Sequence, residues 1–406
     1  LNNISRVEVT KVPTPDVPAN AQGGSVNVIS KNGFERKTRA STYRTFLTFN
    51  SRNFAFTGLN SRPGSRRDLD ARPLQPGVKL SYEVPVNKQF AFTVSGGSVT
   101  RLYQYRSAST PWNLTNNVLS SFTLNAQEQL THAGDAAITA EYRLGRNHVF
   151  RATGLYVDTV AYRSLNRLTI DFGTGAVGDS SYVQGTSAAT GSGSFGNPAT
   201  AQLNTKTAQL NLSYSYRGGP WRVDALASTA RSRTNKRDLD QGFFNRVDLD
   251  VAGLIVRGDG IYQGMPGVGL PRAVNATDRT GRPIDIFDGG EYSLSRVVSR
   301  QSDGLDGKLN ARADVSREFG PLFTAKTGVA LNVMDRDYRE TFKRIDFRPT
   351  ATAADRAARN YDLVDPVYSK TAQSYFPGRQ VQWVSLEKLY QLYKAKPEYF
   401  ILNETA

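Results

Sequence analysis

The 406-residue chain has no cysteine, two methionines, three tryptophans and only two histidines, His132 and His148. Without cysteine there is no disulfide framework and no thiolate site. His132 and His148 stand without a His-Glu-x-x-His pattern or a Gly-x-Ser-x-Gly elbow, so zinc and nucleophilic chemistry lack their usual parts. No catalytic residue, metal site or cofactor is expected, and the chain reads as a non-enzyme. Gly258 and Gly260 are not a nucleotide fingerprint, because no strand-then-helix context surrounds them. Apolar runs of about eighteen residues are also missing, which excludes transmembrane helices; hydrophobic residues make up 39% and the mean hydropathy is −0.45.

What is present is β structure. Nineteen Tyr, 20 Phe and 35 Gly describe an aromatic- and glycine-rich β protein. Alternation of period two predicts strands in pairs. A single strand, Thr42 to Phe49, comes first. Val78–Val86 then pairs with Phe90–Tyr105 through Asn87-Lys88, and Ala136–Leu144 with His148–Tyr162 through Gly145-Arg146-Asn147. Lys206–Tyr216 joins Trp221–Arg233 through Gly218-Gly219-Pro220, and Leu305–Val315 joins Phe323–Asp335 through Phe319-Gly320-Pro321. All four tight turns are polar or carry Gly or Pro.

The other connections are long: 50–77, 106–135, 163–205, 234–304 and 336 to the end. Tight turns and long loops therefore alternate without exception, as in a membrane barrel with short periplasmic turns and long outer loops. Faces such as Lys308, Asn310, Arg312 and Asp314 suit a wetted lumen, and the opposite faces suit lipid. Tyr82, Phe90, Phe92, Tyr142, Phe150, Tyr214, Tyr216, Trp221 and Phe323 gather beside the turns, the pattern of an aromatic girdle at one membrane interface. The expected fold class is an all-β antiparallel transmembrane β-barrel, of which about nine strands are present. Single-chain barrels have even strand numbers, so the odd count is read as a truncated chain.

Ahead of the barrel strands, Ile4–Lys11 and Ser25–Lys31 are short β-branched runs separated by Pro13, Pro15 and Pro18. Ile4-Ser5-Arg6-Val7-Glu8-Val9 followed by Gly23-Gly24-Ser25-Val26-Asn27-Val28-Ile29-Ser30-Lys31 resembles the end of the plug domain of TonB-dependent outer-membrane receptors. In that family the plug closes with an Ile-Glu-Arg-Ile-Glu-Val-like strand and a Gly-Gly-x-Ile-Asn-Ile-x-Thr-Lys-like strand, and Gly23, Gly24 and Asn27 carry the stronger match. The usual Gly-Pro…Leu-Tyr-Gly stretch is replaced here by 13–21. The resemblance implies a plug end and linker over 1–37 and the N-terminal part of a 22-stranded barrel over 38–406. It also implies import of a scarce, bulky ligand (siderophore, cobalamin or oligosaccharide) across the outer membrane of a Gram-negative bacterium. The TonB complex would act through an N-terminal box that this sequence does not include. Arg6 and Glu8, two apart on a strand, are the candidate plug–barrel lock, and an exposed pair of little consequence is the alternative.

Loop residues Tyr338, Phe342, Phe347 and Tyr390 could stack on a ligand, although packing the loops together is the commoner fate of such side chains. Ser385 caps a helix expected over 385–394, Leu249–Arg257 is a candidate strand, Gly258–Gly269 a glycine-rich turn region, and the Gly/Ser/Ala/Thr-rich stretch Ser180–Gln202 is expected to be mobile. The net charge of +15 would suggest nucleic acid in a soluble protein. Here Arg62, Arg66, Arg67, Arg231, Arg233, Lys236 and Arg237 form no stripe along one element, so lipopolysaccharide phosphates or an anionic ligand account for it better. A passive porin, which would lack the plug, and a secreted basic β-sheet binding protein, which would stay soluble without detergent, are the alternatives.

Overall fold

The computed structural model describes residues 4–10, 25–30, 34, 38–49, 74–261, 269–349, 354–371, 375–376 and 379–403. Two short strands come first, β1 (Ile4–Thr10) and β2 (Ser25–Ser30), followed by β3 (Ala40–Phe49), β4 (Leu74–Pro85) and β5 (Phe90–Ser109). A two-residue pair, β6 (Trp112–Asn113) and β7 (Val118–Leu119), leads to the long β8 (Ser121–Leu144) and β9 (His148–Asp171). The next connection holds β10 (Val177–Gly178), β11 (Tyr182–Gln184) and β12 (Gly191–Asn197), before β13 (Ala201–Gly218) and β14 (Trp221–Arg237). After β15 (Arg246–Asp259), β16 (Ala273–Thr277) and β17 (Pro283–Ile284) come β18 (Ser293–Glu318) and β19 (Thr324–Phe347). Two helices, α1 (Pro366–Thr371) and α2 (Leu386–Ala395), and β20 (Phe400–Asn403) complete the order.

The protein is all-β. A 16-stranded antiparallel sheet dominates, and β1 with β2 forms a separate antiparallel pair. Among the described residues the nine long strands β3, β4, β5, β8, β9, β13, β14, β18 and β19 follow one another as an up-and-down meander, each paired with its neighbour in sequence. The expected tight turns close four of these pairs. Asn87 Oδ1 accepts from the Gln89 and Phe90 backbone N–H groups at 2.8 and 2.7 Å, and Gly145, Gly219 and Gly320 supply the left-handed backbone (φ 64°, 53° and 74°) of the other three.

The strands are longer than alternation alone indicates. β8 and β9 have 24 residues each and β18 has 26, so most of the stretches 106–135 and 163–205 read as loops are strand. β4 starts at Leu74, and the preceding 50–73 lies outside the described residues. Ser180–Gln202, expected to be mobile, instead contains β11, β12 and the start of β13. Its glycines serve packing: a Cβ on Gly193 would fall 2.7 Å from the Tyr292 hydroxyl oxygen.

At the far end of the long strands the sheet changes partners. β13 and β14 stop at Ala201 and Arg237, and β12 and β15 take their places between β9 and β18. Buried polar groups close the seam. Asn197 Nδ2 donates to Asn166 Oδ1 at 2.7 Å, and Asn245 Nδ2 donates to the Thr200 carbonyl at 2.7 Å. The buried Asp238 carboxylate accepts from Ser299 Oγ (2.8 Å) and the Arg300 N–H (2.6 Å), so that the interrupted ladder leaves these groups satisfied. Beyond the seam lies the apolar core, built from β8, β9, β12, β15, the β18–β19 ends and α2. Phe195 sits at its centre, 5.2 Å from Tyr292 and 5.3 Å from Trp383 between ring centroids. Ser385 caps α2 by accepting from the Lys388 N–H at 3.2 Å, as its sequence position predicts, and β15 contains the strand expected over Leu249–Arg257.

Candidate functional site

The register of the meander sorts its side chains into two faces of opposite character. One row crosses seven strands as Thr93, Thr139, Thr153, Asn211, Ser228, Asn310 and Asn332. Every member is polar and uncharged. Rows on either side add Glu141, Arg151, Lys308, Arg312, Asp306 and Arg336. Several of these groups bond to one another across the strands. Thr139 and Thr153 hydroxyls lie 3.2 Å apart, Thr207 and Ser232 2.9 Å apart, and Asn310 donates to Ser228 at 3.2 Å. Arg151 donates to Glu141 at 2.9 Å. At the β4–β8 end this polar face is covered, with Thr139 only 2% exposed, and the Arg143 guanidinium sits 3.8 Å from the Phe34 ring centroid.

The other face is apolar and bare near the tight turns. One row reads Phe90, Tyr142, Phe150, Tyr214, Ala225, Ala313 and Val329; the next, farther from the turns, reads Phe92, Ala140, Ala152, Leu212, Ala227, Ala311 and Leu331. Ile138 is 53% exposed and Leu331 54%, large aliphatic side chains that a water-soluble sheet buries. The turn-proximal aromatics touch: Phe150 and Tyr214 centroids are 4.9 Å apart, His148 and Tyr216 4.8 Å, and Phe319 and Phe323 5.7 Å. Arg317 lies over both Trp221 (4.9 Å) and Phe319 (4.7 Å).

The residues singled out from sequence are distributed as follows. Arg6 pairs in register with Ile29 and Glu8 with Asn27, with an irregularity between Ile4 and Arg6; Gly23 and Gly24 lie outside the described residues, as do Arg62, Arg66 and Arg67. Tyr338 and Phe342 lie on the polar-face side of β19 with Glu340 between them, and both are exposed. The Tyr338 hydroxyl donates to Glu340 at 2.7 Å and Arg300 Nε donates to the other Glu340 oxygen at 2.9 Å. Phe347 and Tyr390 are not with them. Phe347 is completely buried against Phe400 (5.1 Å) and Tyr361 (5.3 Å), and Tyr390 packs edge-on to the core residue Phe244 at 6.4 Å. Gly258 is within β15, and 262–268 of the glycine-rich region lies outside the described residues.

One grouping was not apparent from sequence spacing. Lys206, Arg231, Arg233 and Arg339 come from three strands to one open groove of about 630 Å³ on the apolar side. The register that assembles them depends on turn lengths between β13, β14, β18 and β19, which spacing along one strand does not show. Searches with the chain find no matching protein family, no matching curated protein and no matching solved structure.

Proposed function

We propose that the chain is part of a TonB-dependent outer-membrane receptor, its long strands being the N-terminal portion of a transmembrane barrel and β1–β2 the end of the plug. The observation that carries this reading is the inversion of the meander, with a seven-strand row of Thr, Asn and Ser on one face and exposed Leu, Ile, Val and aromatic rows on the other. In lipid the backbone must be satisfied within a closed sheet and the apolar side chains must point outward. The polar face then lines a hydrated interior and the tight turns lie at the periplasmic side. The protein performs no chemistry in this reading. It binds a scarce, bulky ligand (siderophore, cobalamin or oligosaccharide) at the outer surface and passes it inward when the TonB complex, energised by the proton gradient, moves the plug.

Tyr338 and Phe342, fixed beside the Arg300–Glu340 pair, are the aromatic side chains best placed to meet such a ligand, because Phe347 and Tyr390 are committed to the loop core. Conductance in planar bilayers tests the reading against a passive porin. The intact receptor should show no large constitutive conductance, and Arg6→Ala with Glu8→Ala should raise entry of a large antibiotic in cells expressing it. A wide, permanently open channel would overturn the plugged-receptor reading. A protein that stays monodisperse in buffer without detergent would overturn the membrane reading altogether.

A further inference from the structure

At the loop end of β5, β8 and β9 the polar face is a bare wall with a packed back. Behind it Leu124, Ala126, Leu168 and Ile170 are buried in the loop core, and the alternate residues of the same strands turn the other way. Tyr103 and Tyr105 stand on this wall, 53% and 60% exposed. Tyr103 is in register with Gln129 and Tyr105 with Gln127. On the next strand Gln129 faces Arg163, and Asn125 faces Arg167. Strands packed firmly on one side hold the side chains of the other side in place.

The charges of this wall are of one sign. On the polar face of β18 and β19, Arg300, Arg312 and Arg336 each engage a carboxylate, that of Glu340, Asp314 and Asp306 respectively. Arg101, Arg163 and Arg167 have no carboxylate partner among the described residues. The polar-face positions over 101–107, 125–131 and 161–167 include no Asp or Glu. Arg163 Nε is buried with no hydrogen-bond partner among the described residues, and a guanidinium in that state favours an incoming carboxylate. Arg167 Nε donates to Asn125 Oδ1 at 2.9 Å, which anchors its guanidinium by one edge. Arg163 and Arg167 are four residues apart, about 13 Å along the strand, a span that suits successive charges of a chain better than one compact anion. Tyr103 and Tyr105 offer apolar ring faces with a polar tip. Gln127 and Gln129 offer both donors and acceptors, as sugar hydroxyls require.

We infer that this wall binds a uronate-bearing oligosaccharide, its carboxylates paired with Arg101, Arg163 and Arg167 and its sugar rings laid against Tyr103 and Tyr105. Planar guanidinium groups match carboxylate oxygens two at a time, and the aromatic pair supplies contact area that charge alone does not. The inference rests on the receptor reading above and narrows its ligand to an acidic sugar chain. Toward the turns, the uncharged row through Thr153, Asn211, Ser228 and Asn310 continues the hydroxyl and amide lining.

The test is calorimetric titration of the intact receptor in detergent micelles with hexasaccharides of galacturonate, glucuronate and mannuronate, each beside its carboxyl-reduced, uncharged counterpart, and with a ferric tricatecholate and cobalamin. At least one uronate should bind tenfold or more tighter than its reduced counterpart. Arg163→Gln with Arg167→Gln should remove that preference and leave the weak binding of the reduced sugar unchanged. Tyr103→Ala with Tyr105→Ala should weaken both forms at least tenfold, and Tyr103→Phe with Tyr105→Phe should keep most of the affinity. Arg231→Gln with Arg233→Gln, on the apolar side, should change nothing. Heat-dependent gel mobility verifies that each variant is folded. Equal affinity for every uronate and its reduced form, unchanged binding by the Arg163 and Arg167 pair of substitutions, or binding of the ferric tricatecholate or cobalamin alone would overturn the inference while leaving the receptor reading intact. A wide, permanently open channel that no uronate blocks would overturn both.

Discussion

The two ends of the long strands use the same alternation for opposite purposes. Along β8, Phe122, Leu124, Ala126 and Leu130 are buried at the loop end, whereas Ala137, Thr139 and Glu141 are buried at the turn end. No register irregularity separates these segments. Buried positions are even-numbered in one half of β8 and odd-numbered in the other, so the cover moves from one face of the sheet to the other. At the loop end the chain supplies its own apolar cover, with β12, β15 and α2 closing over Phe195, Trp383 and Phe347 as in a soluble protein. Near the turns no described element covers Ile138, Leu212 or Leu331, and the account assigns that role to lipid. The charged groove at Lys206 and Arg233 marks the change.

This contrast can be broken most forcefully at the loop end. Phe195→Ala removes a fully buried ring from between Tyr292 and Trp383 and should cost about 3–5 kcal/mol, read as loss of protease resistance in the loop region. Truncating Leu331, whose neighbours in the account are lipid chains, should cost less. The next effect belongs to the turn end. Leu212→Arg places a charge within the apolar band and should cost about 2–4 kcal/mol, read as reduced folding into bilayers, while Asn211→Arg, one residue away on the polar face, should fold nearly normally.

A pH effect separates the ends further. Burial raises the Tyr292 hydroxyl pKa, aided by Asp285, Asp288 and Glu291, and burial likewise raises that of Tyr375. A group whose folded-state pKa is raised stabilises the fold fully below its unfolded value, near 10 for tyrosine, and that contribution is lost as pH rises above it. Loop-core melting should therefore begin to fall above about pH 10, and Tyr375→Phe should reduce that slope. The smallest expected change is Ser385→Ala, which removes the α2 cap and should lower loop-core stability by about 1 kcal/mol without altering bilayer insertion.

Sequence reading served the turn end better than the loop end for a physical reason. In β13 and β18, alternation is strict because one side meets a polar environment and the other does not, so Leu210, Leu212 and Tyr214 opposite Asn211 and Ser213 announce both strand and face. In Ser121–Asp135 of β8, Gln127, Glu128, Gln129 and His132 blur the period, and the strand passes for loop. β12 is harder still. Its Gly191, Gly193 and Gly196 look like a mobile segment, whereas they permit close approach to Leu254, Tyr292 and Val247. The cap Ser385 and the periodic Leu386, Leu389 and Tyr390 made α2 legible, but nothing local indicated that Tyr390 would pack inward against Phe244. The grouping of Lys206, Arg231 and Arg233 depends on strand register, which no single stretch of sequence contains.

The central claim is that one face of the meander contacts lipid near the turns and protein near the loops. Because the chain has no native cysteine, a single spin label can be placed at each position from 122 to 142 of β8 and its accessibility to oxygen and to a water-soluble nickel chelate measured in bilayers. The account predicts high oxygen and low nickel accessibility at Ile138, Ala140 and Tyr142, the reverse or protection from both at Ala137, Thr139 and Glu141, and protection from both at Phe122 and Leu124. Equal oxygen accessibility of Ile138 and Thr139 would contradict it.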